Sequence, residues 1–554
     1  MSGINYRDQQ LVFFDEVDRA LRRRDARHAE SMSMDYLRAH KSIDNEWFFS
    51  LGMVYYKNLL FKEAAIIFNR AHSTAPDNLK FALQLARSYQ MLGHYGKSEA
   101  ILRPLLSSDA HNDQVLTLLA ICADVAGKHE NALALIDRAI IVNGDNADAK
   151  YLKVSLLINA GYPDSAISLL DHIVNRHGDS DRVAALRSFA LERQGKCQEA
   201  FAAVEPLMPN TDLHSVALAY GRAAMYCDTN IIRESFNGIK KWLKKNESFL
   251  MSNQDRSSLL FTLGDLSDKL ENVEEAYKCY LEANSFARVE RYDRSTVSKF
   301  VNRCMRYEPN NIRGVGNDRE NIFIVGMPRS GSSLIEKMLV KSGKIFGHGE
   351  PGYVGSAVRQ ISNGDVVNYL GFLDNLNKNS VLSLAKELKS AYRLVGGNLK
   401  HADKMLFNYQ FVPLIMKLFP DARIVHVVRD YRDVALSCFA HSFSGYHPYK
   451  FSISDIIFQF RSHLQIMNRW KRLFPHNIIT IEYERLVSYP TPVMSEIAKF
   501  IGINPNYDFT KFYELNTACI TSSYSQVKQP LYRTAVGRWR LYQNMIDFEQ
   551  YCSV

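Results

Sequence analysis

From residue 45 onward the chain returns to the same residue classes about every 34 positions, and that period restricts this half of the molecule to stacked helix pairs. Stepping from Ala64 lands on Ser98, Ala132, Ala166 and Ala200, and stepping from Phe68 lands on Leu102, Ile136, Leu170 and Val204. A small residue recurring beside a large apolar one marks a place where two helices cross closely and a neighbour fills the groove between them. One such pair cannot bury its apolar face alone, so successive pairs must stack. A further copy stands apart at Leu263, Gly264, Ala276, Tyr280 and Ala283, and between the two, roughly 215–256, the helical pattern persists while the repeated positions fade.

Beyond residue 320 the pattern changes. Apolar runs of strand length, 322–326, 422–428 and Ile478 to Tyr483, alternate with helical stretches, which predicts a parallel sheet with ligands at the carboxyl ends of its strands. The expected architecture is therefore a helical cap over 1–44, a helical repeat domain over 45–290, a polar junction over 291–320 and an α/β domain over 321–554 with a P-loop-like centre.

The first of these strands runs into Gly326-Met-Pro-Arg-Ser-Gly331-Ser332-Ser333 and then a helix. The glycine spacing is that of a phosphate-binding loop, in which consecutive backbone N–H groups and a helix N-terminus converge on an anion. The lysine that a Walker loop places after its second glycine is missing, Ser332 stands there, and Arg329 is the nearest cation. Such a loop suits a nucleotide whose terminal group is not a metal-bound γ-phosphate, and it points away from kinases towards phosphosulfate.

These residues carry a resemblance. Gly-x-Pro-Arg-Ser-Gly-Ser-Ser after a strand resembles the 5′-phosphosulfate loop of sulfotransferases, which use 3′-phosphoadenosine 5′-phosphosulfate (PAPS). The family's second element follows about a hundred residues later: the strand Ala422 to Val428, then Arg429-Asp-Tyr-Arg-Asp-Val-Ala-Leu-Ser437. By resemblance Arg329, Ser330, Gly331, Ser332 and Ser333 would bind the 5′ end, Arg429 and Ser437 the 3′-phosphate, and Tyr483, in a Tyr-Glu-x-Leu segment at the end of the third strand, the adenine. The period of 34, with Leu51, Gly52, Tyr55, Ala64, Phe68, Ala71 and Pro76 in the first copy, resembles the tetratricopeptide repeat. Together they match repeat-bearing sulfotransferases of bacterial type, which are similar to protein-tyrosine sulfotransferases.

Sulfuryl transfer requires a base for the acceptor hydroxyl, a grip on the transferring group and positive charge for the bridging oxygen. Two bases lie in Ile345-Phe-Gly-His348-Gly-Glu350. Glu350 falls where the tyrosine-directed enzymes have their catalytic glutamate, although the pattern departs from theirs in having His348 and Gly349 before it. A histidine base serves the small-molecule enzymes and starts nearer neutrality, so both stay open and position favours Glu350. Lys404, in Ala402-Asp-Lys-Met-Leu-Phe-Asn408 ahead of an amphipathic helix, resembles the lysine that contacts the bridging oxygen. The closing run Ser522-Ser-Tyr-Ser-Gln-Val-Lys-Gln-Pro530 with Arg538-Trp539 implies Ser523 at the sulfuryl end and Arg538 beside the 3′-phosphate. Arg329, Lys404 and Arg538 would supply the positive charge, so no metal is expected.

Composition narrows the partners. A net charge of +9 over 554 residues suits an anionic co-substrate or acidic acceptor and is too diffuse for nucleic acid. No apolar run reaches the ~18 residues that would span a bilayer, and the eight scattered cysteines form no Cys-x-x-Cys pair, which together predict a cytoplasmic protein. The repeats are expected to hold a peptide or protein, with a scaffold or homodimer surface as the alternative. The acceptor is either a tyrosine of a peptide or protein, or a glycan or small-molecule hydroxyl. A P-loop kinase, and an adaptor with a decayed catalytic domain, are the competing readings.

Overall fold

The computed structural model describes residues 6–23, 25–40, 44–108, 111–126, 129–246, 251–287, 291–309, 320–443, 447–514 and 530–551. They divide into two compact units, one of Met1–Ala190, Ala203–Ala217 and Gly238–Arg256, the other of Leu191–Ala202, Leu218–Asn237 and Ser257–Val554.

The first unit is helical. Its repeats are the consecutive pairs Asn45–Lys57 with Phe61–Thr74, Leu79–Met91 with Tyr95–Ser108, Asp113–Val125 with His129–Val142, and Ala147–Asn159 with Pro163–His177. Ala64, Ser98, Ala132 and Ala166 are wholly buried, as are Phe68, Leu102, Ile136 and Leu170. The packing reason is visible at Gly52, where a Cβ would stand 2.6 Å from the Phe68 ring. A second device shares the period. Asp44, Asn78, Asn112 and Asn146 cap the first helix of successive pairs, each side chain accepting from a backbone N–H such as Trp47 N at 2.7 Å or Val115 N at 3.0 Å. Each cap satisfies amides that the first turn leaves without partners, worth about 1 kcal/mol apiece.

In the second unit, five parallel strands form one sheet in the order β2-β3-β1-β4-β5: β1 Asn321–Gly326, β2 Ile345–Gly347, β3 Lys400–Asp403, β4 Arg423–Val428 and β5 Ile478–Glu482. All six residues of β1 are buried, as a central parallel strand covered on both faces must be. Its side chains alternate between two cores. Phe323 and Val325 join Ile424, Met467 and Trp470 on one face. Ile322 and Ile324 join Val425, Ile335, Met338 and Ile497 on the other.

Three details differ from the sequence reading. β2 and β3 are additional strands, too short and in β3 too polar (Lys-His-Ala-Asp) to produce an apolar run. Tyr483 does not end β5 but opens the helix Tyr483–Ser488. The segment after Lys404 is a 3₁₀ turn, Leu406–Phe411, and a short helix, Val412–Leu418, buried nearly all round rather than amphipathic.

The segment 291–320 holds the helix Arg294–Arg306, whose Phe300, Val301 and Cys304 lie in the core of the α/β domain. The second unit also contains the detached repeat copy. There Gly264 repeats the device of Gly52, since a Cβ at this position would run into the Tyr280 ring.

Candidate active site

The loop after β1 is held open by its backbone. Arg329 adopts φ 68°, a left-handed conformation that costs a non-glycine residue about 1–2 kcal/mol and concentrates at functional turns. Gly331, at φ 100°, precedes the helix Ser332–Val340, and a Cβ there would lie 2.4 Å from the Tyr483 ring. Tyr483 therefore packs against the loop, and Arg429 lies over its ring at 4.7 Å. Ser330, Ser332 and Ser333 are buried at the start of the helix.

Around this loop the structure gathers Arg329, Ser437, Arg429 and Tyr483. Arg329 Nε donates to Ser437 Oγ at 2.9 Å, and Arg429 donates to the Arg329 carbonyl at 3.1 Å and to the Ala535 carbonyl. Burial pushes Arg329 below the usual arginine range, with Arg429 nearby adding to the effect. Two buried polar atoms have no hydrogen-bond partner, Ser330 Oγ and Arg429 Nε. A buried donor left unsatisfied costs about 1–3 kcal/mol, and an anion received at this point would satisfy both groups. On that observation the residues fit the phosphate groups of a nucleotide.

A second group lies past the ends of β2 and β3. Lys404 Nζ pairs with Glu350 Oε1 at 2.7 Å, and the lysine side chain is 1% exposed against 48% for the glutamate. The backbone locks the two together, since Lys404 N donates to the Gly349 carbonyl at 2.8 Å. Beneath them Glu336 accepts from Gly349 N at 2.8 Å; burial raises its carboxyl and the Lys404 charge opposes the rise. Asp403 is buried too, accepting from Tyr392 Oη, Met405 N and Asn408 Nδ2, and burial pushes it up to about 6.

His348 faces a different set of neighbours. Its Nε2 meets His401 Nδ1 at 3.1 Å, its ring packs edge-on to Phe346 and Tyr392, and burial pushes its imidazole down to about 4. Arg538 pairs with Asp268. Ser523 and most of the run around it lie outside the described residues.

Several contributors escaped the sequence reading. Asp433 accepts from Gly537 N at 2.7 Å and Trp539 N at 2.9 Å, tying the closing segment to the helix that carries Ser437. Its ion pair with Arg429, four residues earlier, is the signal that could have revealed it. Glu336 gave no such signal, because its partners come from a loop distant in sequence.

Among the described residues no cluster of three His, Cys, Asp or Glu side chains is arranged to hold a metal, and no helix is long and apolar enough to cross a membrane. Residues 321–507 match the model of the Sulfotransferase family, and residues 60–122 and 126–188 match that of the Tetratricopeptide repeat. An uncharacterized protein of Aquifex aeolicus (strain VF5) is 27% identical over 311 residues, 53% of this chain and 41% of the relative, so the chain spans well under half of that relative's length. A Caenorhabditis briggsae protein named "Putative protein-tyrosine sulfotransferase" is 24% identical over 239 residues, 41% of this chain and 82% of the relative. A solved sulfotransferase domain from the Synechococcus PCC 7002 olefin synthase aligns over 42% of this chain and 91% of its own, at 18% identity and a TM-score of 0.31. The chain thus carries tetratricopeptide repeats followed by a sulfotransferase domain.

Proposed function

We propose, from a chain whose residues 321–507 form a sulfotransferase domain, that the protein transfers a sulfuryl group from PAPS to an acceptor hydroxyl. The favoured acceptor is a tyrosine of a peptide or protein, recognised with the help of the repeats. The name of the Caenorhabditis relative and the presence of a repeat array support that choice over a glycan or small molecule.

The observation that carries the reading is the pairing of a buried cation, Lys404, with a half-exposed carboxylate, Glu350, beyond the carboxyl ends of β2 and β3. A P-loop kinase would keep a lysine after the second glycine of its loop; here the position after Gly331 is Ser332. The donor supplies an activated sulfuryl group on a phosphate that leaves readily. Glu350, accessible on one side, takes the proton from the acceptor oxygen. Lys404, desolvated and held in place by its backbone and by Glu350, offers its ammonium to the oxygen on which charge develops, where low dielectric strengthens the interaction. Arg329 and the amides at the start of the helix Ser332–Val340 hold the 5′ end. Arg429 and Ser437 hold the 3′-phosphate, with Arg538 beside it, and Tyr483 lies against the adenine. Ser523 is assigned to the sulfuryl end on the resemblance alone.

His348 is the weaker candidate for the base, since its Nε2 is already engaged with His401. The test is ligand-dependent stabilisation followed by product analysis. PAPS and 3′-phosphoadenosine 5′-phosphate (PAP) should raise the melting temperature and ATP should not. Arg429→Ala should abolish the preference for a 3′-phosphate, a charge-assisted contact worth roughly 1.5–3 kcal/mol. Incubation with labelled PAPS should then label a tyrosyl peptide in preference to a glycan. Equal stabilisation by ATP and PAPS in the wild type contradicts the assignment.

A further inference from the structure

The helix Asn253–Lys269 belongs to the detached repeat copy, yet its last two turns carry two partly buried carboxylates, Asp265 and Asp268. Asp268, with a side chain 11% exposed, accepts from Tyr542 Oη at 2.6 Å and pairs with Arg538. Asp265 accepts from Tyr280 Oη at 2.9 Å, and the cations around it are Arg538, Arg329 and Arg222. Burial pushes its carboxyl up to about 6 despite those charges.

This placement is unfavourable on its own terms. The C-terminal end of a helix is the negative end of its dipole, where an added anion is unfavourable, and burial adds to that cost. For Asp268 both penalties are offset by the guanidinium it pairs with, and that arginine, Arg538, is the one assigned above to the 3′-phosphate end of the nucleotide. An arginine has five N–H donors in a rigid fork, so a carboxylate that takes one edge leaves others for a phosphate. Arg329 already gives its Nε to Ser437. The unpartnered hydroxyl of Ser330, a residue 1% exposed, independently marks this loop as a place for an anion.

We propose that Asp268 is a positioning residue of the nucleotide site, holding Arg538 with N–H groups aimed at the 3′-phosphate, so that a helix of the repeat class is a built-in wall of that site. The proposal rests on the PAPS reading and extends it: the repeat signature at 263–283 serves nucleotide binding rather than a peptide.

Calorimetric titration with PAP tests it without relying on turnover. Asp268→Asn keeps the shape and an acceptor for Tyr542 but removes the charge that fixes Arg538. Its Kd for PAP should rise about three- to tenfold, the worth of a partly screened pair and its preorganisation. In an Arg538→Ala background the same change should have no further effect, because Asp268 acts through Arg538. Binding as tight as wild type in a folded Asp268→Asn variant overturns the role of that carboxylate, and an equal loss with and without Arg538 overturns the mechanism. A wild type that does not bind PAP sinks the nucleotide reading itself, an outcome distinct from a wild type that binds and a Asp268→Asn variant that binds equally well.

Discussion

Gly331 offers a sharp test of how the nucleotide loop is built, because two separate penalties fall on one substitution. In Gly331→Ala the new methyl would stand 2.4 Å from Tyr483 Cδ2, at a backbone φ of 100° that side-chain-bearing residues avoid. The backbone conformation costs about 1–2 kcal/mol, and forcing a methyl into a filled space costs typically 1–3 kcal/mol. The sum is about 2–5 kcal/mol. The Tyr483 ring must also move away from the Arg429 guanidinium it now supports, so PAP affinity should fall with stability. The assay is urea unfolding, read at the transition that PAP shifts, so that the unit carrying the site is the one reported. Tyr483→Ala supplies the control: with the ring gone, only the backbone penalty of Gly331→Ala remains, and the double variant should be more stable than the two single effects predict by about 1–3 kcal/mol. A Gly331→Ala protein within about 0.5 kcal/mol of wild type, or strict additivity with Tyr483→Ala, would refute the claimed contact.

Two further outcomes follow from the same geometry. Burial raises Asp403 from 3.8 to about 6, so the folded state holds its proton more tightly than the unfolded state; the stability this proton confers is present below about pH 4 and is lost as pH rises through 6. Relative to Asp403→Asn, the wild type should therefore lose roughly 2 kcal/mol between pH 4 and 6.5, and a flat difference in urea midpoints across that range contradicts the assignment. Because the cations proposed to neutralise developing charge are Arg329, Lys404 and Arg538, sulfuryl transfer should survive excess EDTA; loss on chelation with restoration by Mg²⁺ would favour phosphoryl chemistry.

The long-range plan of the chain was legible because periodicity is a property of the sequence. The alternation of Ile322 and Ile324 with Phe323 and Val325 announces a strand buried on both faces, and the 34-residue step announces paired helices. The N-caps at 44, 78, 112 and 146 share that step and were overlooked, since Asn and Asp before a helix look ordinary until they are aligned. β3 was invisible for a different reason. His401 and Asp403 are polar, and they are tolerated in a buried strand only because His348, Tyr392 and Asn408 arrive from elsewhere to meet them. The same holds at the site: the loop residues and Arg429 are written as contiguous motifs, whereas Glu336 under Gly349, Asp433 under Gly537 and Asp268 against Arg538 are pairings made by folding. Short motifs report what the backbone does locally; the contacts that tie one motif to another are made between segments separated in sequence.

The central claim, that Glu350 takes the acceptor proton while the loop and Arg429 hold the nucleotide, is tested most directly by measuring turnover and PAP affinity together in Glu350→Gln. The substitution keeps the shape and one acceptor oxygen beside Lys404 but removes the basicity. Turnover should fall about 10²-fold or more with the PAP dissociation constant nearly unchanged, while His348→Ala should stay within roughly tenfold of wild type. A near-active Glu350→Gln beside an inactive His348→Ala that still binds PAP would assign the base to the histidine and contradict the account.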